Sequence, residues 1–478
     1  MGKYAIGQQD FKALREEGGV YVDKTMFISR LMDTNSRYIF LARPRRFGKS
    51  LFVSTLRYFF EGQRQLFRGL YVDSTDWEWV EYPVLRLDFT NNRFVESDKL
   101  DVVLDRIFTE WEVQYKVENP STDLSIRFSE IIRAAYKVTG KPVVILVDEY
   151  DKPLVANLND DEQFDEYRAN LASVYSNFKS SAEYIKFVFI TGVSRFSKLS
   201  VFSDLNNLRD ISFSNDFADI CGITEKEVRE NFEDGIRKLS EARGISYSET
   251  LRRLKINYDG YRFAEAGSDI YNPWSLLNAM EESRIGNYWN QTGLPTLIAE
   301  TLKNLDVDLQ DCLNTVCDLS SLEGLDLKSA DPLALLYQTG YLTIKEYDAE
   351  NDFYILGLPN KEVTDGLFKV LVPYYVKVKS GTLDGIIRNM VRDIQLGKPE
   401  GLRKSLDTFF AGVPYDMHME NENNFHNALY ILMTLIGIKA HTEVHTSDGR
   451  IDLQITTPKF VYIIELKFDK SADEAISL

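Results

Sequence analysis

The sequence predicts an α/β protein whose main domain is a doubly wound parallel sheet. Three mostly apolar segments, at residues 38–42, 143–147 and 184–190, have the length of buried strands, and each ends in polar residues. Helical periodicity lies between the first two, at about 99–117 and 125–136. Strands that alternate with helices favour a parallel sheet that binds ligands at the carboxyl ends of its strands. We therefore expect the polar residues after the three segments to line one crevice.

The first segment runs into a basic turn that ends Gly-Lys-Ser before a helix. A phosphate loop needs inward-facing backbone N–H groups, a lysine for the β- and γ-phosphates, and a Ser or Thr hydroxyl for Mg²⁺. Lys49 and Ser50 supply the last two, whereas Arg43 stands where the usual pattern has its first glycine. A basic surface turn before a helix is the alternative. The residues predicted to bind nucleotide here are Arg43, Pro44, Arg45, Arg46, Phe47, Gly48, Lys49 and Ser50.

The arginines of this loop lead to a further hypothesis. Without the first glycine, the backbone cradles phosphate less well, and the guanidinium groups of Arg43, Arg45 and Arg46 would offset this by bidentate contacts to phosphate. Solvent-facing arginines are the alternative. The preceding residues 21–24 are expected either beside the nucleotide base or in a capped surface helix.

The second segment ends in two adjacent carboxylates. We expect Asp148 to hold Mg²⁺ together with Ser50, and Glu149 to orient and deprotonate an attacking water. A buried strand that ends in a solvated Asp-Glu pair is the alternative. The phosphate loop that precedes this strand in the chain favours the functional interpretation.

The third segment also delivers polar residues to the predicted crevice. We expect Thr191 or Ser194 to sense the γ-phosphate and Arg195 to stabilise charge on it. An ordinary strand end with a surface arginine is the alternative. Shorter strands at 83–89 and 203–212 are expected to complete the sheet.

Charge and cysteine content limit the class of protein. The 478 residues carry a formal net charge of −17, so any nucleic-acid contact must come from a local patch. Three cysteines indicate a reducing compartment, and neither a signal peptide nor a membrane-spanning run is recognisable. We expect a multidomain protein of the cytoplasm without membrane contact.

Beyond residue 220 the pattern becomes helical and then changes again. Thr224 to Glu227 has the form of a capping box that opens a helical lid. A helix at 333–339, followed by strands around an acidic turn at 348–352, indicates a winged-helix-like module, and the acidic turn favours packing over DNA binding. The expected domains are the nucleotide-binding domain at 1–220, the lid at 221–300, the winged-helix-like region and linker at 301–396, and a C-terminal domain at 397–478.

The C-terminal domain carries a second candidate site. After a helix at 422–437, three strands follow at about 439–445, 450–456 and 460–468, with Asp452 in the second and Glu465 and Lys467 at the end of the third. Side chains alternate along a strand, so Glu465 and Lys467 share a face. Carboxylates on one metal ion beside a lysine are typical of metal-dependent hydrolysis. The alternative is chance, because Asp-x₁₂-Glu-x-Lys arises often in charged proteins. The domain also holds all four histidines of the chain, which we interpret as scattered and not as a zinc site.

Four segments resemble the bacterial AAA-ATPase-like family, namely residues 21–25, 43–50, 147–151 and 191–197. Members of that family also have arginine in place of the first glycine. The resemblance implies ATP and Mg²⁺ as ligands and a sheet of AAA type. In such a sheet, the strand that ends at Thr191 lies between those that end at Leu41 and Val147.

The C-terminal residues closely resemble the PD-(D/E)XK nuclease superfamily. Asp452, Glu465 and Lys467 match its catalytic positions, and Glu422 matches a fourth acid that some members use for metal. Ile451 stands where the superfamily's name has proline. Its core continues through a second helix and a further strand, so we expect a C-terminally truncated or incomplete domain of restriction-endonuclease-like fold.

Two functions are compatible with these features. In the first, ATP binding and hydrolysis gate a metal-dependent nuclease that acts on DNA, in defence or mobile-element biology. In the second, the chain is a nucleotide-switched signalling or scaffold ATPase whose nuclease-like domain does not cut. The acidic charge favours the second function, and the intact Asp452, Glu465 and Lys467 favour the first. A homo-oligomer or a protein partner fits either.

Overall fold

The described residues form two compact units. The computed structural model describes residues 3–94, 99–158, 160–195, 201–202, 205, 207–289, 302, 309–323, 332–376, 380–411, 422–437, 440–446 and 449–464. Unit 1 comprises 1–289 and 316–360, and unit 2 comprises 290–315 and 361–478. The domain boundaries expected at 220, 300 and 396 stay predictions.

A parallel sheet lies at the centre of unit 1. In the described part of the chain its strands are β1 (Tyr38–Ala42), β2 (Val84–Asp88), β3 (Val143–Asp148), β4 (Ile185–Gly192) and β5 (Arg209–Asp210). Their order is β2-β3-β4-β1-β5, and every pairing is parallel. The strand that ends near Thr191 therefore lies between β1 and β3, which confirms the AAA-type order implied by the resemblance. Strand β5 closes the far edge beside β1, as expected.

The three central strands are almost completely buried, because helices of unit 1 pack on the sheet. Side chains such as Phe40, Ile145 and Ile190 join one apolar cluster with residues of these helices. Aspartate N-caps open several helices; the Asp123 carboxylate, for example, accepts the N–H of Ile126 at 2.9 Å. The helices are α1 (Phe11–Glu16), α2 (Met26–Met32), α3 (Lys49–Phe60), α4 (Leu100–Tyr115), α5 (Leu124–Thr139), α6 (Lys152–Val155) and α7 (Asp161–Ser180).

A helical subdomain follows the sheet. The capping box predicted at Thr224 and Glu227 is present at the start of its first helix. A second apolar cluster holds the helices together and includes Ile236, Leu254 and Leu276. Its elements are β6 (Ile223–Thr224), α8 (Glu225–Asn231), α9 (Glu233–Arg243), α10 (Tyr247–Tyr258), β7 (Ile270–Tyr271) and α11 (Pro273–Glu281).

The predicted helix and hairpin are also present, with α14 (Pro332–Thr339), β9 (Thr343–Asp348) and β10 (Phe353–Gly357). They are preceded by the short elements α12 (Leu309–Leu313), which belongs to unit 2, β8 (Val316–Cys317) and α13 (Leu319–Glu323). Strand β8 pairs with β10, and β10 pairs with β9. The Thr343 hydroxyl donates to the carbonyl of Arg262 and accepts that residue's N–H, which ties the hairpin to the helical subdomain.

Unit 2 combines helices with a small antiparallel sheet. Its longer helices are α15 (Lys361–Tyr375), α16 (Ser380–Gln395), α17 (Pro399–Phe410) and α18 (Glu422–Ile436). Its described strands are β11 (Ala440–Thr446), β12 (Gly449–Thr456) and β13 (Val461–Ile464), in that order across the sheet. The helix and three strands predicted for this domain are confirmed as far as residue 464. Within the described residues, no helix is long and apolar enough to cross a membrane.

Candidate functional site

The loop between β1 and α3 curls around the Lys49 side chain. Lys49 is 3% exposed. Its ammonium group donates to the carbonyls of Arg43 at 2.9 Å and Pro44 at 3.2 Å. Gly48 precedes the helix with φ +95°, a conformation that glycine adopts without steric penalty. The amino end of α3, with its unpaired N–H groups and positive dipole, thus begins beside a buried cation. The positive potential at this point favours binding of an anion.

The carboxylate of Asp148 lies at the end of β3 and meets the first turn of α3. Oδ1 accepts the Thr191 hydroxyl at 2.8 Å, and the Ser50 hydroxyl lies close enough to lower the pKa of the carboxyl. Oδ2 has no hydrogen-bond partner among the described residues, although Arg86 Nη2 is 3.8 Å away. Burial raises the pKa of Asp148, against the opposing effect of the two hydroxyls. An adjacent hydroxyl and carboxylate, one oxygen still uncommitted, are ligands that Mg²⁺ takes.

Glu149 follows with a left-handed backbone. Its φ of +57° is uncommon for a residue with a side chain, and such conformations persist only where neighbouring contacts hold them. The next residue supplies such a contact, because the N–H of Tyr150 donates to the carbonyl of Thr191 at 3.0 Å. The half-buried Glu149 side chain is therefore held next to Asp148 at the same edge of the sheet.

The polar residues after β4 are engaged with a carboxylate that the sequence analysis did not select. The Ser194 hydroxyl donates to Asp151 Oδ2 at 2.6 Å, and the N–H groups of Val193 and Ser194 donate to the same carboxylate. Asp151 is buried, and this burial raises its pKa. Its place in Asp-Glu-Tyr-Asp was the available signal, but nothing in the sequence pairs it with Ser194.

The guanidinium of Arg195 lies over the Phe213 ring and pairs with Asp210 of β5. Its Nη2 and Nε are 2.5 Å and 2.9 Å from Asp210 Oδ2, and its backbone N–H donates to the Gln338 side chain at 2.7 Å. A contact between Arg195 and a γ-phosphate stays a prediction. It would require the side chain to leave this buried pair.

In unit 2, Asp452 lies in the central strand β12. Its neighbour Leu453 pairs with Ile464, the last described residue of β13. Glu465 and Lys467 lie outside the described residues. Glu422 begins α18, and neither its side chain nor that of Asp452 is described. Their convergence on one metal ion stays a prediction.

Known families match two separate parts of the chain. A family model described as predicted AAA-ATPase matches residues 5–202, and one described as PD-(D/E)XK nuclease superfamily matches residues 420–477. A curated protein of Azotobacter chroococcum mcd 1, named "Uncharacterized protein in vnfD 5'region", is 34% identical over 478 residues, which cover 97% of this chain and 89% of that protein. No solved structure matches.

The chain belongs to the AAA-ATPase-like family. It carries a PD-(D/E)XK nuclease superfamily domain at residues 420–477. Both resemblances seen in the sequence are thereby confirmed, as is the predicted α/β fold class with its parallel sheet of AAA type.

In this AAA-ATPase-like chain, the arginine that replaces the first glycine is a structural residue. Arg43 is 1% exposed, and its guanidinium donates to the carbonyls of Ala42, Ser212, Phe217 and Ala218. It also lies 4.4 Å from the centre of the Phe263 ring. A contact between Arg43 and phosphate stays a prediction, and it would require Nη1 or Nη2 to leave the backbone carbonyls that they contact here.

The other two loop arginines contact the helical subdomain. The Arg46 guanidinium lies 3.7 Å from the centre of the Trp274 ring and donates to the carbonyl of Tyr288 at 3.3 Å. Arg45 is half-buried, and its carbonyl accepts the indole N–H of Trp289 at 3.4 Å. Phosphate binding by these two side chains stays a prediction.

An apolar cleft adjoins the amino end of α3. The predicted base-contacting residues Tyr21, Val22 and Lys24 line it, and the helical subdomain contributes Phe232 and Leu277. The other lining residues are Val20, Phe47, Gly48, Leu51, Phe52, Ile220, Cys221, Gly222, Ile223 and Pro273.

Lys24, one of the residues that line this cleft, forms an ion pair. Lys24 Nζ donates to Glu227 Oε1 at 2.7 Å and to the carbonyl of Asp219 at 2.8 Å. Glu227 also accepts the N–H of Thr224 as part of the capping box. The pair therefore joins the amino-terminal segment to α8, a link that no local sequence pattern predicts.

Proposed function

We propose that unit 1 of this AAA-ATPase-like protein binds ATP with Mg²⁺ and hydrolyses it. The observation that carries the proposal is the enclosed Lys49 ammonium at the start of α3, together with the buried Asp148 carboxylate close to the next residue, Ser50. These groups come from the first turn of α3 and from the end of β3. They supply the cation and the oxygen ligands that a nucleotide triphosphate and its metal need.

Each residue of this site has a defined part in the proposal. Lys49 leaves the carbonyls of Arg43 and Pro44 and donates to the β- and γ-phosphates, while the N–H groups of α3 bind phosphate oxygens. Ser50 and Asp148 hold Mg²⁺, whose chemistry is to neutralise charge that develops on the phosphate oxygens. Glu149 orients the attacking water and takes its proton.

The apolar cleft is the proposed place for the base. Its lining by Val20, Phe232 and Leu277 suits a flat heteroaromatic ring, and it adjoins Gly48, where the phosphates would begin. Residues of the helical subdomain, the predicted lid, form one wall of the cleft. A base bound there would therefore contact both the lid and the domain that contains the sheet.

We further propose that Asp452, Glu465 and, in addition, Glu422 hold a divalent metal ion in the C-terminal domain, where Lys467 orients the attacking water. The match to the nuclease superfamily over residues 420–477 supports this. Nucleotide state in unit 1 would then gate the action of this domain on nucleic acid, as a device of defence or mobile-element biology in the cytoplasm.

A nucleotide-switched signalling or scaffold ATPase is the second candidate. The formal net charge of −17 favours it, since a strongly acidic chain repels the nucleic-acid backbone. Its partner would be a second copy of the chain or another protein. Cleavage by the full-length protein decides between the two candidates.

The experiment for unit 1 separates binding from turnover. Lys49→Ala should abolish ATP binding, because the ammonium meets phosphate before reaction, whereas Glu149→Gln should bind ATP like wild type and lose turnover, since the carboxylate acts on the water. Titration with a fluorescent ATP analogue and a phosphate-release assay measure the two quantities. Lys12→Ala, which breaks only an exposed ion pair with Glu16, is the control. Equal nucleotide affinity in wild type and Lys49→Ala would contradict the assignment.

A further inference from the structure

Asp151 is a buried carboxylate close to the proposed ATPase site that has no part in the function proposed so far. It is 1% exposed and lies three residues after the proposed metal ligand Asp148. Its oxygens accept the N–H of Val193 at 3.1 Å and the N–H and hydroxyl of Ser194 at 2.6 Å each. Successive N–H groups that converge in this way form an anion-binding concavity. The turn after β4 is thus built around the charge of Asp151.

The residue before Asp151 attaches to the same turn. The N–H of Tyr150 donates to the carbonyl of Thr191 and its hydroxyl donates to the carbonyl of Ser194, both at 3.0 Å. The two segments also approach too closely for a side chain between them. A Cβ on Gly192 would lie 2.5 Å from the Tyr150 ring and 2.7 Å from Asp151 Oδ1. Residues 150 and 151 therefore have little freedom to move relative to β4.

These contacts restrict the backbone conformation of Glu149, which lies between Asp148 and Tyr150. A non-glycine residue in the left-handed region is sterically disfavoured, so the conformation of Glu149 must be held by its surroundings. On its amino side, Asp148 accepts the Thr191 hydroxyl. On its carboxyl side, Tyr150 and Asp151 are bound to residues 191–194. Glu149 thus projects from a short segment that is fastened to β4 on both sides.

We propose that Asp151 is a positioning residue for Glu149: by binding the Val193–Ser194 turn it holds the segment 148–151 so that the Glu149 carboxylate faces the attacking water. The inference rests on the ATP hydrolysis proposed above. Asp151 itself touches neither nucleotide nor metal in this scheme. Its removal should therefore affect turnover and leave nucleotide binding intact, since Lys49 and Ser50 stand on another element.

The variant that tests this is Asp151→Asn in the full-length protein. Asparagine keeps the volume but loses the charge, and its NH₂ group would face N–H donors. We expect an ATP-analogue affinity within about twofold of wild type and a kcat lower by roughly tenfold to a hundredfold, the effect of a small misplacement of a catalytic group. Hydrogen exchange should in addition show faster exchange of the Val193 and Ser194 amides.

Glu112→Gln is a matched control for a merely structural role. Glu112 is a buried carboxylate that pairs with Arg127 between α4 and α5, away from the β3 and β4 ends. The Glu112→Gln substitution should lower the midpoint temperature of thermal unfolding and leave kcat unchanged. An unchanged kcat in Asp151→Asn, or a loss of ATP-analogue affinity as large as the loss of kcat, would overturn the proposal.

Tyr150→Phe keeps the test decisive if Asp151→Asn fails to fold. It removes only the hydroxyl that donates to Ser194, and we expect unchanged binding with kcat lower by about threefold to tenfold, the range of one neutral hydrogen bond. A wild-type kcat in this variant would then refute the positioning role. Absence of ATP turnover in the wild-type protein would instead contradict the ATPase proposal itself, and the two failures are therefore distinguishable.

Discussion

Arg43, at the position where the usual phosphate-loop pattern has its first glycine, has a buried guanidinium that donates to backbone carbonyls. A buried guanidinium loses its hydration, and this loss lowers the pKa of Arg43. Four backbone carbonyls and the face of Phe263 replace the water. Residues 212–218 follow β5, so that Arg43 fastens the loop after β1 to the chain beyond the sheet edge. Its contribution is therefore to stability of the site.

The first prediction concerns Arg43→Ala. Carbonyls of Ser212, Phe217 and Ala218 would lose a charged donor, and we expect the free energy of unfolding to fall by about 2–4 kcal/mol. Denaturant unfolding measures this, with the exposed Arg64→Ala as control. A variant with wild-type stability that loses ATP affinity at low salt, and less so at high salt, would restore the phosphate contact that the structure argues against.

Asp259 predicts a pH dependence of stability. It is 3% exposed, Oδ1 has no hydrogen-bond partner among the described residues, and burial raises its pKa to about 6 despite Lys255 at 3.6 Å. Between about pH 4 and pH 6 the folded protein therefore binds more protons than the unfolded chain, and stability falls as pH rises through this window.

Asp259→Asn should remove this dependence. The variant should unfold at the wild-type temperature near pH 4 and at a higher temperature at pH 8, with a gain of up to about 2–3 kcal/mol. Thermal unfolding at the two values of pH measures the difference, with Asp101→Asn on the exposed side of α4 as control. A variant less stable than wild type at pH 8 would show that the charged carboxylate is favourable where it lies.

At the scale of elements, the phosphate loop is held by segments that follow the sheet in sequence. Trp274 in the first turn of α11 receives the Arg46 guanidinium on its ring and donates its indole N–H to the carbonyl of Tyr288 at 3.3 Å. Close packing continues at Gly340 beyond α14, where a Cβ would lie 2.7 Å from the Pro44 side chain. The loop conformation thus depends on the helical subdomain and on the segment beyond α14.

Trp274→Leu tests this dependence. Loss of the cation–π contact, worth about 0.5–2 kcal/mol, should loosen the loop and weaken ATP binding by about twofold to thirtyfold, whereas Trp274→Phe should have a smaller effect because it keeps a ring. The affinity for a fluorescent ATP analogue is the measurement. Trp77→Leu serves as control, since Trp77 packs on Phe59 near the other end of α3. Unchanged affinity in Trp274→Leu would show that the contact does not shape the loop.

At the scale of the whole molecule, an AAA-ATPase-like unit and a nuclease superfamily domain share one chain. The proposed coupling between them requires that each has its own ligand. Two carboxylates brought together in the C-terminal domain repel each other, and a divalent ion removes that conflict. Metal uptake by this domain is therefore the first quantity to establish.

We predict that Asp452→Ala loses both metal uptake in this domain and cleavage, and that Lys467→Ala keeps metal uptake and loses cleavage, because only the carboxylate is a ligand. Mn²⁺ calorimetry on full-length protein with Lys49→Ala and Asp148→Ala in the background isolates the second site. Plasmid incubated with Mg²⁺ and ATP, or with a non-hydrolysable analogue, reports cleavage and its nucleotide dependence. If metal uptake is unchanged in Asp452→Ala, the proposed metal site is wrong. If the wild-type protein takes up metal but cleaves no plasmid, the scaffold function is favoured.

Local patterns determined much of this protein from the sequence by itself. Strand length and polarity located β1, β3 and β4, and the capping box located α8, because these signals reside in neighbouring residues. The Gly-Lys-Ser turn and the Asp-Glu pair indicated the two parts of the candidate site, and in the folded chain Ser50 lies close enough to the Asp148 carboxyl to lower its pKa. The roles assigned to these residues, and those of Asp452, Glu465 and Lys467, stay predictions.

Only the tertiary structure decided what Arg43, Ser194 and Asp151 contact. The carbonyl of Ser212 that accepts from Arg43 lies 169 residues away in sequence, and Ser194 lies 43 residues from Asp151. A charged side chain near a motif can contact phosphate, solvent or a distant carbonyl. The local sequence does not distinguish these outcomes, because the neighbouring residues are the same in all three. The partner is set by which strands become adjacent in the sheet, so a burial or a hydrogen bond of this kind exists only once the chain has folded.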